Sequence, residues 1–256
     1  MILSRRIALN GIQLDELHDA VVIRSVDPGV TQETADTSSR MGCAGQRITR
    51  QHWESLETRV TFAINLPKRR LEERRQIFEA VCDWARGGGW VTIGYMPGRR
   101  MYADRVVLPG SGDLWNWTAE FTIGFQALGI PFWQEEEPAT ATADMTDGSM
   151  AVTVGGNVRT VMDVDLANIS GVVIPNIAVT VNGRQITLTG VNLGGTETLK
   201  IHHGTDGLLR AEIGERSVYS LLTGADDLYA DPGEATVAVK ATRALRVTAR
   251  AIGRYV

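Results

Sequence analysis

Apolar and polar residues alternate in short runs through most of the chain, and the period of the alternation changes once. Residues 2–9 and 12–14 flank Asn10-Gly11, a dipeptide that tolerates the positive φ angles of a tight turn, so the chain is expected to open with a hairpin. Residues 21–26 read as a strand stopped by Asp27-Pro28-Gly29. Residues 46–66 read as a strand pair in which Val60, Phe62, Ile64 and Leu66 recur with period two. Between these lie residues 30–45, rich in Thr, Ser, Gly and Gln, which read as an extended arm or a flexible loop.

The period then shifts. From Pro67, placed for a first helical turn, Leu71, Phe78, Val81 and Ala85 recur at helical spacing, with Ile77 and Trp84 widening the stripe. Gly87-Gly88-Gly89 ends that helix, since glycine accepts the left-handed conformation at a helix C-terminus. Strands resume over residues 90–95, 100–108 and 115–128. The second half shows no helical period: nine short strands are predicted between residues 150 and 252, and Asn182-Gly183 marks a hairpin. Short strands at such spacing predict a sandwich or jelly roll.

Aromatic residues divide the chain where charge does not. All six Trp and all five Phe precede position 134, leaving only Tyr219, Tyr229 and Tyr255 beyond it. Residues 134–148 are polar or small and read as a linker. The expected organisation is a β-rich domain over residues 1–133 with one helix near 68–86, a linker over 134–148, and a β-sandwich over 149–256.

Composition narrows the function classes. The chain has 256 residues and a formal net charge of −4, which gives no general attraction to phosphate backbones, so no nucleic-acid specificity is expected. No apolar stretch approaches the roughly 18 residues of a membrane helix, and membrane insertion is not expected. Arg5 and Arg6 interrupt the amino-terminal apolar residues where a signal peptide would be continuous, so synthesis in a cytoplasm without a signal peptide is the expectation. Cys43 and Cys82 lie in dissimilar segments and read as unpaired thiols.

No catalytic, metal or cofactor constellation emerges. The glycines at 87–89 follow a helix rather than a strand, and no Gly-Lys-Ser/Thr completes a phosphate loop. His202 and His203 are adjacent and point to opposite faces of a strand, so they read as surface or interface residues, and His18 and His52 have no local partners. Asp144/Asp147 and Asp226/Asp227 sit in turn-like sequence, where Asp is favoured for its local hydrogen bonds. The run from Lys68 to Arg75 reads equally as a solvated helix face and as a subunit contact, the latter because 23 Arg stand against 3 Lys and Arg is enriched in interfaces. Trp115, Trp117 and Trp133 could stack on sugars, but core or interdomain packing is the commoner use of large aromatics.

The order of these elements resembles the distal tail proteins of long non-contractile-tailed phages. The resemblance is carried by the opening hairpin, the helix ending in Asp83-Trp84, Trp90-Val-Thr-Ile, Pro97-Gly-Arg-Arg-Met-Tyr102-Ala103, and the closing Gly129-Ile-Pro131-Phe132-Trp133. In the second half it rests on Ile174-Pro175-Asn176-Ile177, Asn182-Gly183 and the Tyr229-Ala-Asp-Pro232-Gly233 turn. It implies a mainly β protein: a ring-forming, tail-tube-like first domain followed by a galectin-like sandwich. It implies a hexameric hub at the distal end of the virion tail, with the tail tube, tape-measure and tip proteins as partners and no enzymatic activity. Residues 30–45 would correspond to an arm between subunits. Arg69, Arg70, Arg99, Arg100 and Tyr102 are the candidate contact residues, and Phe132 and Trp133 the candidates for interdomain packing. Two alternatives stand beside it: a carbohydrate-binding adhesion module, disfavoured because the second half lacks Trp, and a wall-degrading hydrolase, which needs a carboxylate pair such as Asp226/Asp227.

Overall fold

A computed structural model describes residues 5–38, 47–111, 119–204 and 208–256. It divides into two compact units, residues 1–133 with Val256, and Gln134–Tyr255.

The first unit runs β1 (Ile7–Leu9), β2 (Ile12–Gln13), β3 (Val21–Asp27), β4 (Glu33–Ser38), β5 (Arg47–Trp53), β6 (Leu56–Ile64), α1 (Leu71–Arg86), β7 (Gly89–Ile93), β8 (Arg99–Ala103), β9 (Arg105–Val107) and β10 (Glu120–Ala127). Asn10 and Gly11 take φ of 52° and 85°, as the opening hairpin requires. One sheet contains the order β2-β1-β7-β8 and a second the order β3-β6-β10-β9. Along β6 and β10, Val60, Phe62, Phe121, Ile123 and Phe125 are buried on one face, while Thr61 and Thr122 meet on the other. Helix α1 covers that apolar face. Phe78 packs 5.0 Å from the Phe121 ring, and Trp84 stands edge-on to Phe125 at 6.0 Å. Gly88, at φ 61°, passes so close to β8 that a Cβ there would lie 2.5 Å from the Ala103 carbonyl oxygen, which is why the chain leaves the helix through glycine.

The structure sharpens three expectations in this unit. Of the two readings of residues 30–45, residues 33–38 take the extended one: β4 pairs antiparallel with β5 as a two-stranded ribbon, and residues 39–46, including Cys43, lie outside the described residues. Residues 100–108 are two strands, because the chain turns at Asp104, whose carboxylate accepts hydrogen bonds from the Leu128 and Gly129 amides at 2.7 and 2.9 Å. The last long strand is described as Glu120–Ala127, and Trp115 and Trp117 lie outside the described residues.

The chain continues through β11 (Trp133–Glu135), β12 (Ala139–Val154), β13 (Thr160–Asn168), β14 (Ile174–Val181), β15 (Arg184–Leu193), β16 (Thr198–His203), β17 (Leu209–Ile213), β18 (Arg216–Ser217), β19 (Leu222–Gly224), β20 (Tyr229–Ala230), β21 (Gly233–Ala251) and β22 (Arg254–Tyr255). β12 and β21 pair antiparallel over nearly their whole length, with a register shift between Met145 and Asp147. On one side of the shift β21 pairs with β13, which continues to β16, β17 and β18; on the other it pairs with β14, which continues to β15 and β19. The two long strands thus belong to both halves of the sheet. Buried Val164, Leu166, Val179, Leu188, Val237 and Val247 belong to a single core. Asn182 and Gly183, at φ 46° and 82°, make the expected hairpin between β14 and β15.

The linker reading of residues 134–148 is corrected here: β12 begins at Ala139 and is 16 residues long. Its Ala and Thr residues carry little apolar area, so they resemble a linker, yet Ala139, Ala141 and Met145 pack against the core. Limited proteolysis is therefore expected to leave residues 139–154 uncut, because their backbone is paired with β21; rapid cleavage within them, read by mass spectrometry, would contradict the strand. β21 likewise replaces two predicted strands with one of 19 residues.

Candidate functional sites

The contact candidates fall in two groups. Arg69 and Arg70 are exposed in the turn that leads into α1, where Arg70 pairs with Glu73 at 3.3 Å across one helical turn. Such a pair on a solvated face contributes a few tenths of a kcal/mol. Arg99, Arg100 and Tyr102 lie on β8. The β7–β8 register sets Trp90 opposite Tyr102 and Thr92 opposite Arg100, so these four side chains share the face turned away from the core, while Val91, Met101 and Ala103 are buried on the other. The Arg100 guanidinium carbon lies 4.0 Å from the Trp90 ring centre, and Tyr102 meets the same ring edge-on at 5.2 Å while remaining 45% exposed.

This is a preformed patch. Trp, Tyr and Arg are the residues that dominate binding energy at protein interfaces, and stacking holds these three side chains in place. Trp90 was not among the contact candidates, although the Pro97-Gly98 turn that pairs β7 with β8 carried the signal, since it puts Trp90 across from Tyr102.

Phe132 and Trp133 have partners within the first unit. Phe132 lies edge-on to Trp53 at 5.2 Å, and the Trp133 indole N–H donates to the Pro28 carbonyl at 3.2 Å. Both are buried.

A second cluster lies in the second unit. His202 and His203 do point to opposite faces, but only His202 keeps a partly exposed side chain, 3.4 Å from Glu212. The His203 side chain is only 5% exposed, which corrects its reading as a surface or interface residue. Its Nδ1 lies 3.0 Å from Asp163 Oδ1 and its Nε2 contacts Asp227 Oδ1. Burial by itself would push the imidazole pKa down; the hydrogen bonds to Asp163 and Asp227, with their negative charge, outweigh it and hold the pKa above its ordinary value. A hydrogen bond to Asp227, together with burial, pushes the Tyr229 phenol up, and burial lowers the Arg254 guanidinium beside them. Arg184 covers the Tyr229 ring at 5.3 Å. The arrangement ties β16 to β13 and to the segment before β20. Both imidazole nitrogens are engaged by carboxylates, so His203 acts as a clamp between the two segments.

Among the described residues, no group of three or more His, Cys, Asp or Glu is arranged to hold a metal ion. Cys82 is buried in α1, and burial pushes its thiol up. The Asp144 carboxylate binds Arg246 through both oxygens, at 2.8 and 3.0 Å, across the β12–β21 pair.

Comparison with solved structures adds a whole-chain likeness. The crystal structure of the SPP1 Dit protein (gp 19.1), described as a paradigm of the hub adsorption apparatus in phages infecting Gram-positive hosts, superposes with a TM-score of 0.67 at 16% identity, over 98% of this chain and 99% of that one. The chain has the fold of a phage tail hub protein. A chain of the phage p2 baseplate in its activated conformation with Ca aligns over 90% of each chain at 9% identity, but its TM-score of 0.39 is too low to carry an argument. No protein-family model and no curated protein matches the sequence. The hub fold accounts for the mainly β architecture with α1 as the α-helix of the described residues.

Proposed function

We propose that the chain is a structural hub protein of a phage tail tip, sited at the distal end of the virion tail. Six copies would form a ring that joins the tail tube to the tip, with the tube, tape-measure and tip proteins as neighbours. The observation that carries this reading is the hub fold shared along the whole of both chains. The reading gives the protein no catalytic step.

A ring closed by rotation needs two different faces on each subunit. The Trp90–Arg100–Tyr102 patch supplies one. The β4–β5 ribbon supplies the other, since among the described residues it pairs with no further strand and its edges are open to strand addition. Replacing Arg100 and Tyr102 together with alanine is expected to weaken assembly about a hundredfold, the loss of two interface anchors, while leaving the melting temperature of the first unit nearly unchanged. Sedimentation across a concentration series reads the first quantity and calorimetry the second. Unaltered assembly of the double variant would remove this patch from the contact.

A further inference from the structure

The two carboxylates of the clamp differ in how firmly the fold holds them. Asp163 stands within β13, which lies between β21 and β16 in the sheet, and its Oδ1 accepts the His203 backbone amide at 3.0 Å as well as the ring. Asp227 stands in the short turn between β19 and β20. We propose that His203 is a proton-operated latch on that turn: protonated, it holds Asp227 closed, and on losing its proton it keeps Asp163 and releases Asp227 while the sandwich stays folded. The inference goes beyond the hub reading and does not rest on it.

The chemistry of the ring forces a choice. An imidazolium has two N–H donors and serves both carboxylates, whereas a neutral imidazole has one donor and presents a lone pair at its other nitrogen. One carboxylate then faces that lone pair with no proton between them, in a site where the ring is buried. Asp163 keeps the donor, because its strand is fixed on both sides and the His203 amide already aligns its oxygen. Asp227 is the one that leaves.

The turn has pinned ends and a movable middle. Ala225 donates its amide to the Gln185 carbonyl at 2.8 Å, while Leu228 is fully buried in the core and its carbonyl accepts the Met162 amide at 2.9 Å. Between these pins Asp226 and Asp227 line an open cavity of about 700 Å³ with Ser217 and Tyr219, so the Asp227 carboxylate has room to swing outward. The Leu228 amide donates at 3.1 Å to the same Asp227 oxygen that meets the ring, and rotation of the carboxylate breaks both contacts. Arg184 Nε holds only the Asp227 backbone carbonyl, at 3.1 Å. The Tyr229 phenol also bonds Asp227, and that bond together with burial pushes its pKa up, so it keeps its proton where the imidazole titrates. Arg254 of β22 stands near Asp163 and Asp227, and Arg210 of β17 is opposite His202, whose side chain turns with Glu212 to the other face of β16.

The test is hydrogen exchange of the full chain, read by mass spectrometry in steps from about pH 6 to about pH 9, with labelling times scaled to the intrinsic exchange rate at each pH. Protection over residues 225–229 is expected to fall about tenfold as pH rises, while β13 and β21 keep theirs. Asp227→Asn supplies a side-chain amide that can donate to the neutral ring, so this variant should stay protected at both ends of the range. His203→Gln should lose the pH dependence, and His202→Gln should retain it. Circular dichroism at each pH checks that every variant is folded. Equal wild-type protection throughout the range, a loss that spreads to β13 and β21 together, or an alkaline opening that survives Asp227→Asn or His203→Gln would each overturn the proposal.

Discussion

Replacing His203 with alanine is expected to destabilise the second unit by about 3 kcal/mol, lowering its melting temperature by roughly 10 °C near neutral pH. The change removes the imidazole between Asp163 and Asp227 and leaves two carboxylates without their shared partner, in a site where the His203 side chain was only 5% exposed. The sign of the pH dependence follows from the raised pKa of the folded imidazole. A group whose pKa is higher folded than unfolded binds its proton more tightly in the native state. Its contribution is therefore complete below the unfolded value of about 6.5 and is lost as pH rises through the folded value. The gap between wild type and His203→Ala should be widest in mildly acidic buffer and should narrow toward alkaline pH. His203→Gln, which keeps some volume and hydrogen bonding but not the charge, should fall between them. Calorimetric melts at several pH values provide the check, and a gap that widens with rising pH would contradict the clamp.

Trp133→Ala should be similarly costly for the first unit, at about 3–5 kcal/mol. The side chain is 2% exposed and among the largest fully buried ones, and its indole N–H satisfies the Pro28 carbonyl at the end of β3. Two effects are combined there, and Trp133→Phe separates them. Phenylalanine retains much of the ring but offers no donor, so it should recover more than half of the lost stability and leave a deficit of about 1–2 kcal/mol for the donor and the missing volume. Denaturant unfolding followed by fluorescence would show the first transition moving to lower denaturant. Equal losses for the two variants would mean that the hydrogen bond, not the packing, dominates.

Local signals were legible in the sequence and long-range ones were not. The helix could be read because Leu71, Phe78, Val81 and Ala85 share one face, and the two Asn-Gly hairpins because their φ angles are a property of the turn itself. β12 was hidden because Ala139, Ala141 and Ala143 bury little area, so their alternation with threonine gives a weak period-two signal. What makes these residues a strand is β21, about a hundred positions away. The clamp was hidden for the same reason: Asp163 and Asp227 lie 40 and 24 residues from His203, and only the pairing of β13 with β16 and the path of the chain before β20 bring them to it.

The surface residues divide along the same line. Arg99, Arg100 and Tyr102 were visible as a basic and aromatic cluster beside a Pro-Gly turn, whereas their anchor Trp90 became evident only from the hairpin register.

The mass of the wild-type protein in solution, measured by light scattering after size exclusion and followed by negative-stain images of the largest species, tests the hub reading most directly. For a subunit of 27.9 kDa, a ring of six has a mass of about 167 kDa and should show sixfold symmetry in projection. A strict monomer at every concentration tested, with no rings in the images, would contradict a self-assembling hub.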